Sequence, residues 1–179
     1  ENLVNEFSDF ARMPKPVFKK NDLNSILHES IKLSSEFDKT INISRKMNKE
    51  KVLFNCDKEQ LSRVFFNLIK NSIESINQKF EKEGHFDKKI SIEIIDNNDH
   101  IRFILVDNGI GFDQIKNDIK QIVNPYFTTK KNGTGLGLSI VNKIINDHNG
   151  KIEFIPIDDG AKVKIYFDLN DSRNINSWR

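Results

Sequence analysis

Asn67 and Asn71, in the stretch "NLIKNSIES", stand four residues apart. On a helix that spacing puts both carboxamides on one face. Carboxamide oxygens suit Mg²⁺, which takes oxygen ligands and keeps several waters where phosphates share it. Lys70, beside them, is placed to meet a phosphate as a point charge. The same two asparagines would also serve as backbone caps or as water-facing side chains. A second stretch, "DNGIGF" at 107 to 112, follows the apolar run "FILV". Asp107 closes that run with an acceptor suited to an amino group, such as the exocyclic amine of adenine. Gly109 and Gly111 let the backbone turn and come close to a flat ligand. An ordinary Asp-Asn-Gly turn carries the same letters.

The third and fourth patches are continuous in "NPYFTTKKNGTGLGLS". Tyr126, Phe127, Thr128, Thr129 and Lys130 lead into Gly133, Thr134, Gly135, Leu136 and Gly137, and a helix-like stretch, "SIVNKIINDH", follows. Backbone N–H groups at the start of a helix lack intrahelical partners and favour an anion. A loop feeding such a helix is able to close over a nucleotide; equally, the aromatics would anchor a loop to the core. The glycine spacing is G-x-G-x-G, not the G-x-G-x-x-G of dinucleotide folds, and no strand precedes it. No Gly-Lys-Ser/Thr of a Walker loop is present, and the H-R-D and D-F-G landmarks of protein kinases are absent.

These patches need elements to hold them. Leu3, Phe7, Phe10 and Ala11 recur at helical spacing over residues 1 to 13, and "PKP" at 14 to 16 ends that helix. A second amphipathic helix starts after Asp22, a plausible cap. "INISRKM" and "VLFNCD" read as short strands. From Asp57 a long helix lines up Leu61, Val64, Phe65, Leu68, Ile69, Ile73 and Ile76 and carries the two asparagines. "KISIEIIDN" and "HIRFILVDN" are strands joined by a turn. Residues 109 to 134 read as a loop with a little helix, and its part from 121 to 134 as a mobile lid. A helix follows over about 136 to 148. "KIEFIPI" and "AKVKIYFDL" pair across "DDG". The order predicts an α/β sandwich with helices on one face of a mostly antiparallel sheet. Residues 1–16 form a helical end and linker, 17–170 the domain and 171–179 a tail.

Composition narrows the class. With 37% hydrophobic and 30% charged residues the chain has the balance of a globular domain. A net charge of +2 gives no case for nucleic acid. The single cysteine, Cys56, rules out an internal disulfide or a zinc cluster and fits a reducing, cytoplasmic setting. No apolar run reaches the length of a membrane span. The chain opens at Glu1 without a starting Met, as a piece of something longer does.

In their order and separations, "NLIKNSIES", "DNGIGF", "NPYFTTK" and "GTGLGLSI" resemble the N, G1, F and G2 boxes of the histidine-kinase catalytic domain. The resemblance covers about residues 17 to 170, and "VNEFSDFARMPKP" further resembles the end of the dimerisation helices of NtrY-type nitrogen sensor kinases. It implies the Bergerat ATP-binding fold, a two-layer α/β sandwich, with ATP and Mg²⁺ as ligands. By that resemblance Asn67 and Asn71 would hold Mg²⁺, with Lys70 beside them, and Asp107 would read the adenine amine. Gly109 and Gly111 would shape the adenine pocket. Phe127, Thr128, Thr129 and Lys130 would belong to the lid, and Gly133, Thr134, Gly135, Leu136 and Gly137 to the phosphate loop. Implied partners are the dimerisation and phosphotransfer domain of the same parent, a homodimer that NtrY-like parents usually anchor in a membrane, and a response regulator. None of His28, His85, His100 or His148 sits in an H-E-x-x-N-P-like acceptor box, so the implied acceptor histidine lies elsewhere. Other readings within the fold are a hydrolase, for which Asn67 replaces the activating carboxylate, and an ATP-sensing module without turnover.

Overall fold

In the computed structural model the described residues are 8, 11–112, 123–124 and 136–170. The first strand, β1 (Lys19–Asp22), runs antiparallel to β3 (Leu53–Cys56) as a separate two-stranded sheet. "KKND" has no apolar alternation, so sequence periodicity does not show this strand; its order comes from backbone pairing with β3. Asp22 is the N-cap of α1 (Leu23–Ser34): its carboxylate accepts from Asn24 N at 3.1 Å and from Val52 N at 3.0 Å.

The long helix α2 (Lys58–Glu83) is capped by Asp57, which accepts from Gln60 N at 3.0 Å. Leu61, Val64, Phe65, Leu68, Ile69, Ile73 and Ile76 are all buried along one stripe, as their spacing predicts. The helix stops at Gly84, whose φ of 86° is the left-handed conformation that glycine adopts freely. Its N–H bonds to Phe80 O at 3.0 Å.

The main sheet has the order β2-β4-β5-β7-β6, from β2 (Asn42–Met47), β4 (Lys89–Asp96), β5 (His100–Asp107), β6 (Gly150–Ile157) and β7 (Gly160–Asp168). β2 runs parallel to β4, and every other neighbouring pair is antiparallel. In β5 the residues Ile101, Phe103, Leu105 and Asp107 alternate inward. Helix α3 (Gly137–Asp147) buries Ile140, Val141, Ile144 and Ile145 and packs beside α2. The core lies between helices and sheet, where Phe65 of α2 stacks on Phe103 of β5 at 5.0 Å. This is the expected α/β sandwich with a mostly antiparallel sheet. No helix among the described residues is long and apolar enough to cross a membrane.

Candidate functional site

The inner end of β5 meets the middle of α2, and the first two patches converge there. Asp107 is the last residue of β5 and is only 5% exposed. Its Oδ2 accepts from Ser72 Oγ on α2 at 2.7 Å, and its Oδ1 accepts from Gly109 N at 2.9 Å. Burial pushes this carboxyl above the ordinary carboxylate range. The Ser72 hydroxyl, the Gly109 and Ala161 amides and the Lys79 charge pull against that rise.

Glycine is required by contact at two places in this turn. A Cβ on Gly109 would stand 2.3 Å from Ser75 Oγ and 2.8 Å from Ile76 N, so the backbone lies directly on α2. Gly111 has φ +70°, and a Cβ there would be 2.4 Å from Gly160 O in the β6–β7 connection. Ser75 Oγ also accepts from Ile110 N at 3.1 Å. Asn108 points the other way: its Nδ2 donates to Asp87 O at 2.7 Å and its Oδ1 accepts from Lys89 N at 2.9 Å.

Asn67 and Asn71 both lie on α2 and are half-buried. Asn71 directly precedes Ser72, so the helix that supplies the carboxamides is also the helix that holds Asp107. Lys70 stands 4.0 Å from Glu74 in a half-exposed pair, which leaves its ammonium within reach of solvent. Leu136 is buried and leads into α3, and Gly137 is its first residue with open space around it. Tyr126, Phe127, Thr128, Thr129, Lys130, Gly133, Thr134 and Gly135, with the lid assigned to 121 to 134 apart from Val123 and Asn124, lie outside the described residues. So does most of the first predicted helix.

Ser72, Ser75, Lys79 and Gly160 are the neighbours of this site that motif reading does not reach. Ser72 and Lys79 occupy the buried stripe of α2, and a polar group in an apolar stripe requires a partner inside the fold. That requirement is visible in the sequence, whereas the identity of the partner is not.

The model of the family described as "Histidine kinase-, DNA gyrase B-, and HSP90-like ATPase" matches residues 56–171. The chain belongs to this family. An NtrY-like sensor histidine kinase of Rickettsia conorii is 34% identical over 172 residues, which are 96% of this chain and 27% of that protein. The chain thus spans about a quarter of the length of that relative. Among solved structures, the nucleotide-free catalytic domain of histidine kinase ThkA superposes with a TM-score of 0.73 at 27% identity, covering 85% of this chain and 95% of that one. ThkA in complex with the response regulator protein TrrA gives 0.73 at 24% identity, over 96% of this chain and 48% of that one.

The donor set at the carboxamide pair fits a hard cation. Two neutral oxygens on one helix leave most of an octahedral shell to water and phosphate oxygens, the usual arrangement for Mg²⁺ on a nucleotide. No group of three or more His, Cys, Asp or Glu side chains able to hold a metal occurs among the described residues.

Proposed function

We propose that this chain is the nucleotide-binding catalytic domain of a sensor histidine kinase, which binds Mg-ATP and presents its γ-phosphate to a histidine outside the chain. The observation that carries this reading is Asp107: a buried carboxylate, held on both oxygens, at a strand end where two glycines bring backbone against a helix. Such a group is suited to accept a base amine. Asn67 and Asn71 would hold Mg²⁺, and the metal, when bound, would neutralise phosphate charge. Lys70 adds a mobile positive charge beside them. By the family resemblance, Gly133, Thr134, Gly135 and Gly137 would supply backbone N–H groups to the phosphates, and Phe127, Thr128, Thr129 and Lys130 would belong to the lid over them. Catalysis then rests on position and charge, since no residue of this set is a covalent nucleophile.

By extension from the NtrY-like relative and from ThkA with its regulator, the partners are a histidine-bearing dimerisation domain and a response regulator. Titration with a fluorescent ATP analogue in the presence of Mg²⁺ tests the reading. Saturable binding, competed by ATP and ADP, is expected. Absence of saturation up to millimolar nucleotide, the upper end of ordinary substrate affinities, rejects it.

A further inference from the structure

The buried serines of the helices divide into two kinds. Ser30 donates to Ile26 O at 2.9 Å, Ser34 to Ser30 O at 2.7 Å and Ser139 to Leu136 O at 2.8 Å. All three bond back to a carbonyl three or four residues earlier, the usual resort of a buried hydroxyl in a helix, and Ser30 has Ser62 O on α2 as a second, longer acceptor at 3.5 Å. Ser72, also buried, donates out of α2 to Asp107 Oδ2. Seven residues along the same stripe, Lys79 is 7% exposed and its Nζ donates to Asn108 O at 3.3 Å. The same ammonium pairs with Asp159 in the β6–β7 turn and lies over the Phe86 ring at 5.1 Å. The next residue after Asp159 is Gly160, where a Cβ would stand 1.9 Å from Asp107 O.

We propose that Ser72 is a positioning residue for the nucleotide base, its hydroxyl fixing both the orientation and the charge of the Asp107 carboxylate, with Lys79 anchoring the turn behind it. The proposal rests on the reading that Asp107 accepts the base amine. A carboxylate held by Ser72 on one oxygen and by the Gly109 amide on the other cannot rotate, and with the Ala161 amide as a third donor it still keeps acceptor capacity for an incoming donor. Only the ionised form accepts a charge-assisted hydrogen bond, and burial works against that form. Donors to the carboxylate favour the ionised form against burial. The titratable and charged groups around it are Lys79 on α2 and Asp159 on the β6–β7 turn, with Glu83, His85, Asp87 and Lys89 lining the adjoining recess beyond Asn108.

The test uses Ser72→Ala and Ser72→Cys in this chain. Cys nearly preserves the shape of Ser and is a weak donor, so a packing role is rescued by it and a hydrogen-bonding role is not. The Asp107 carboxyl is followed by ¹³C NMR without nucleotide, and ATP and GTP affinities are measured against pH. Asp107 is expected to titrate at a higher pH in both variants than in the unmodified chain. ATP should bind about tenfold more weakly, as for loss of a hydrogen bond to a charged group, with GTP changed by less than about twofold. Loss of ATP affinity on acidification should begin at a higher pH. An unmoved Asp107 titration in a folded Ser72→Ala chain, or full recovery of ATP affinity by Ser72→Cys, overturns the proposal. Failure of the unmodified chain to bind ATP overturns the reading of the site instead, and the carboxyl titration still decides whether Ser72 holds Asp107.

Discussion

If Asp107 accepts the base amine as proposed, it sets stability against binding within one side chain. Because burial raises its folded-state pKa, the folded protein takes up a proton at a pH where the unfolded chain has lost it. Ionised Asp107 therefore costs stability at neutral pH, and the cost disappears as pH falls through the folded pKa. Asp107→Asn removes the charge and keeps an oxygen for the Gly109 amide, so the thermal midpoint should hold or rise. The new amide donor faces the adenine amine, so ATP affinity should drop tenfold or more, about 1.4 kcal/mol for each tenfold step. The guanine carbonyl suits a donor, so preference for ATP over GTP should narrow or reverse. Calorimetric unfolding and competition binding on one preparation check both halves; undiminished ATP preference rejects the base-reading role. His148 works in the opposite direction. Its Nδ1–H donates to Ile144 O at 2.8 Å, and its Nε2 accepts from Asp57 N at 3.0 Å. Burial holds its pKa below the ordinary 6.5, against the opposing pull of Ile144 O, Asp57 and Asp147. The unfolded chain takes a proton near 6.5 while the folded chain resists, so this stability is complete above 6.5 and is lost as pH falls toward the folded pKa. His148→Leu strands the Asp57 amide and should cost about 1–3 kcal/mol at pH 7.5. It should also flatten the decline in urea-unfolding stability between pH 7 and pH 5.

At the scale of elements, the contact between the turn after β5 and α2 is the point of least tolerance. A Cβ at Gly109 meets helix backbone at Ile76 N, which cannot step aside as a flexible side chain would. Gly109→Ala should therefore cost about 1–3 kcal/mol by overpacking and displace Asp107 from Ser72. Nucleotide affinity should fall with stability here, unlike the divergence expected for Asp107→Asn; an Ala variant with unchanged unfolding and binding contradicts the close packing. The elements differ in how far they could be read from sequence. α2 was legible because its apolar stripe, its Asp57 cap and its terminal Gly84 agree, and β4, β5 and β7 because apolar residues alternate along them. β1 was not, since Lys19 to Asp22 gain their order from β3, 34 residues on from Lys19 to Leu53. That β2 and β3 fall in different sheets was equally hidden, because pairing depends on distant partners. At the site, residue types and spacing singled out Asn67, Asn71, Asp107, Gly109 and Gly111. Ser72 and Lys79 do not stand out in the sequence, because a hydroxyl or an amine inside a helix shows its purpose only when the opposite element is known.

The whole molecule carries everything proposed for donating a phosphoryl group, and its histidines do not supply the acceptor. His148 is 1% exposed with both ring nitrogens committed, so neither is available as a nucleophile. His28 on α1 is exposed and stands 3.0 Å from Arg45 Nη1. His85 lies edge-on to Phe80 beyond the end of α2, and His100 begins β5 at the end of the strand opposite Asp107 and stacks on Tyr166. Phosphoryl transfer needs the nucleophile in line with the leaving oxygen at close range. None of His28, His85 and His100 lies on α2, which carries Asn67 and Asn71 beside the proposed phosphate position. The chain alone should therefore bind Mg-ATP and leave it largely intact, with negligible self-labelling. Adding a separate helical segment that bears an acceptor histidine should bring transfer, with a label that is lost in acid as phosphohistidine is. Rapid labelling of the 179-residue chain by γ-labelled ATP, abolished by His28→Gln, would falsify this and place the acceptor on α1. Labelling only in the presence of the added segment, and on that segment, is the expected result.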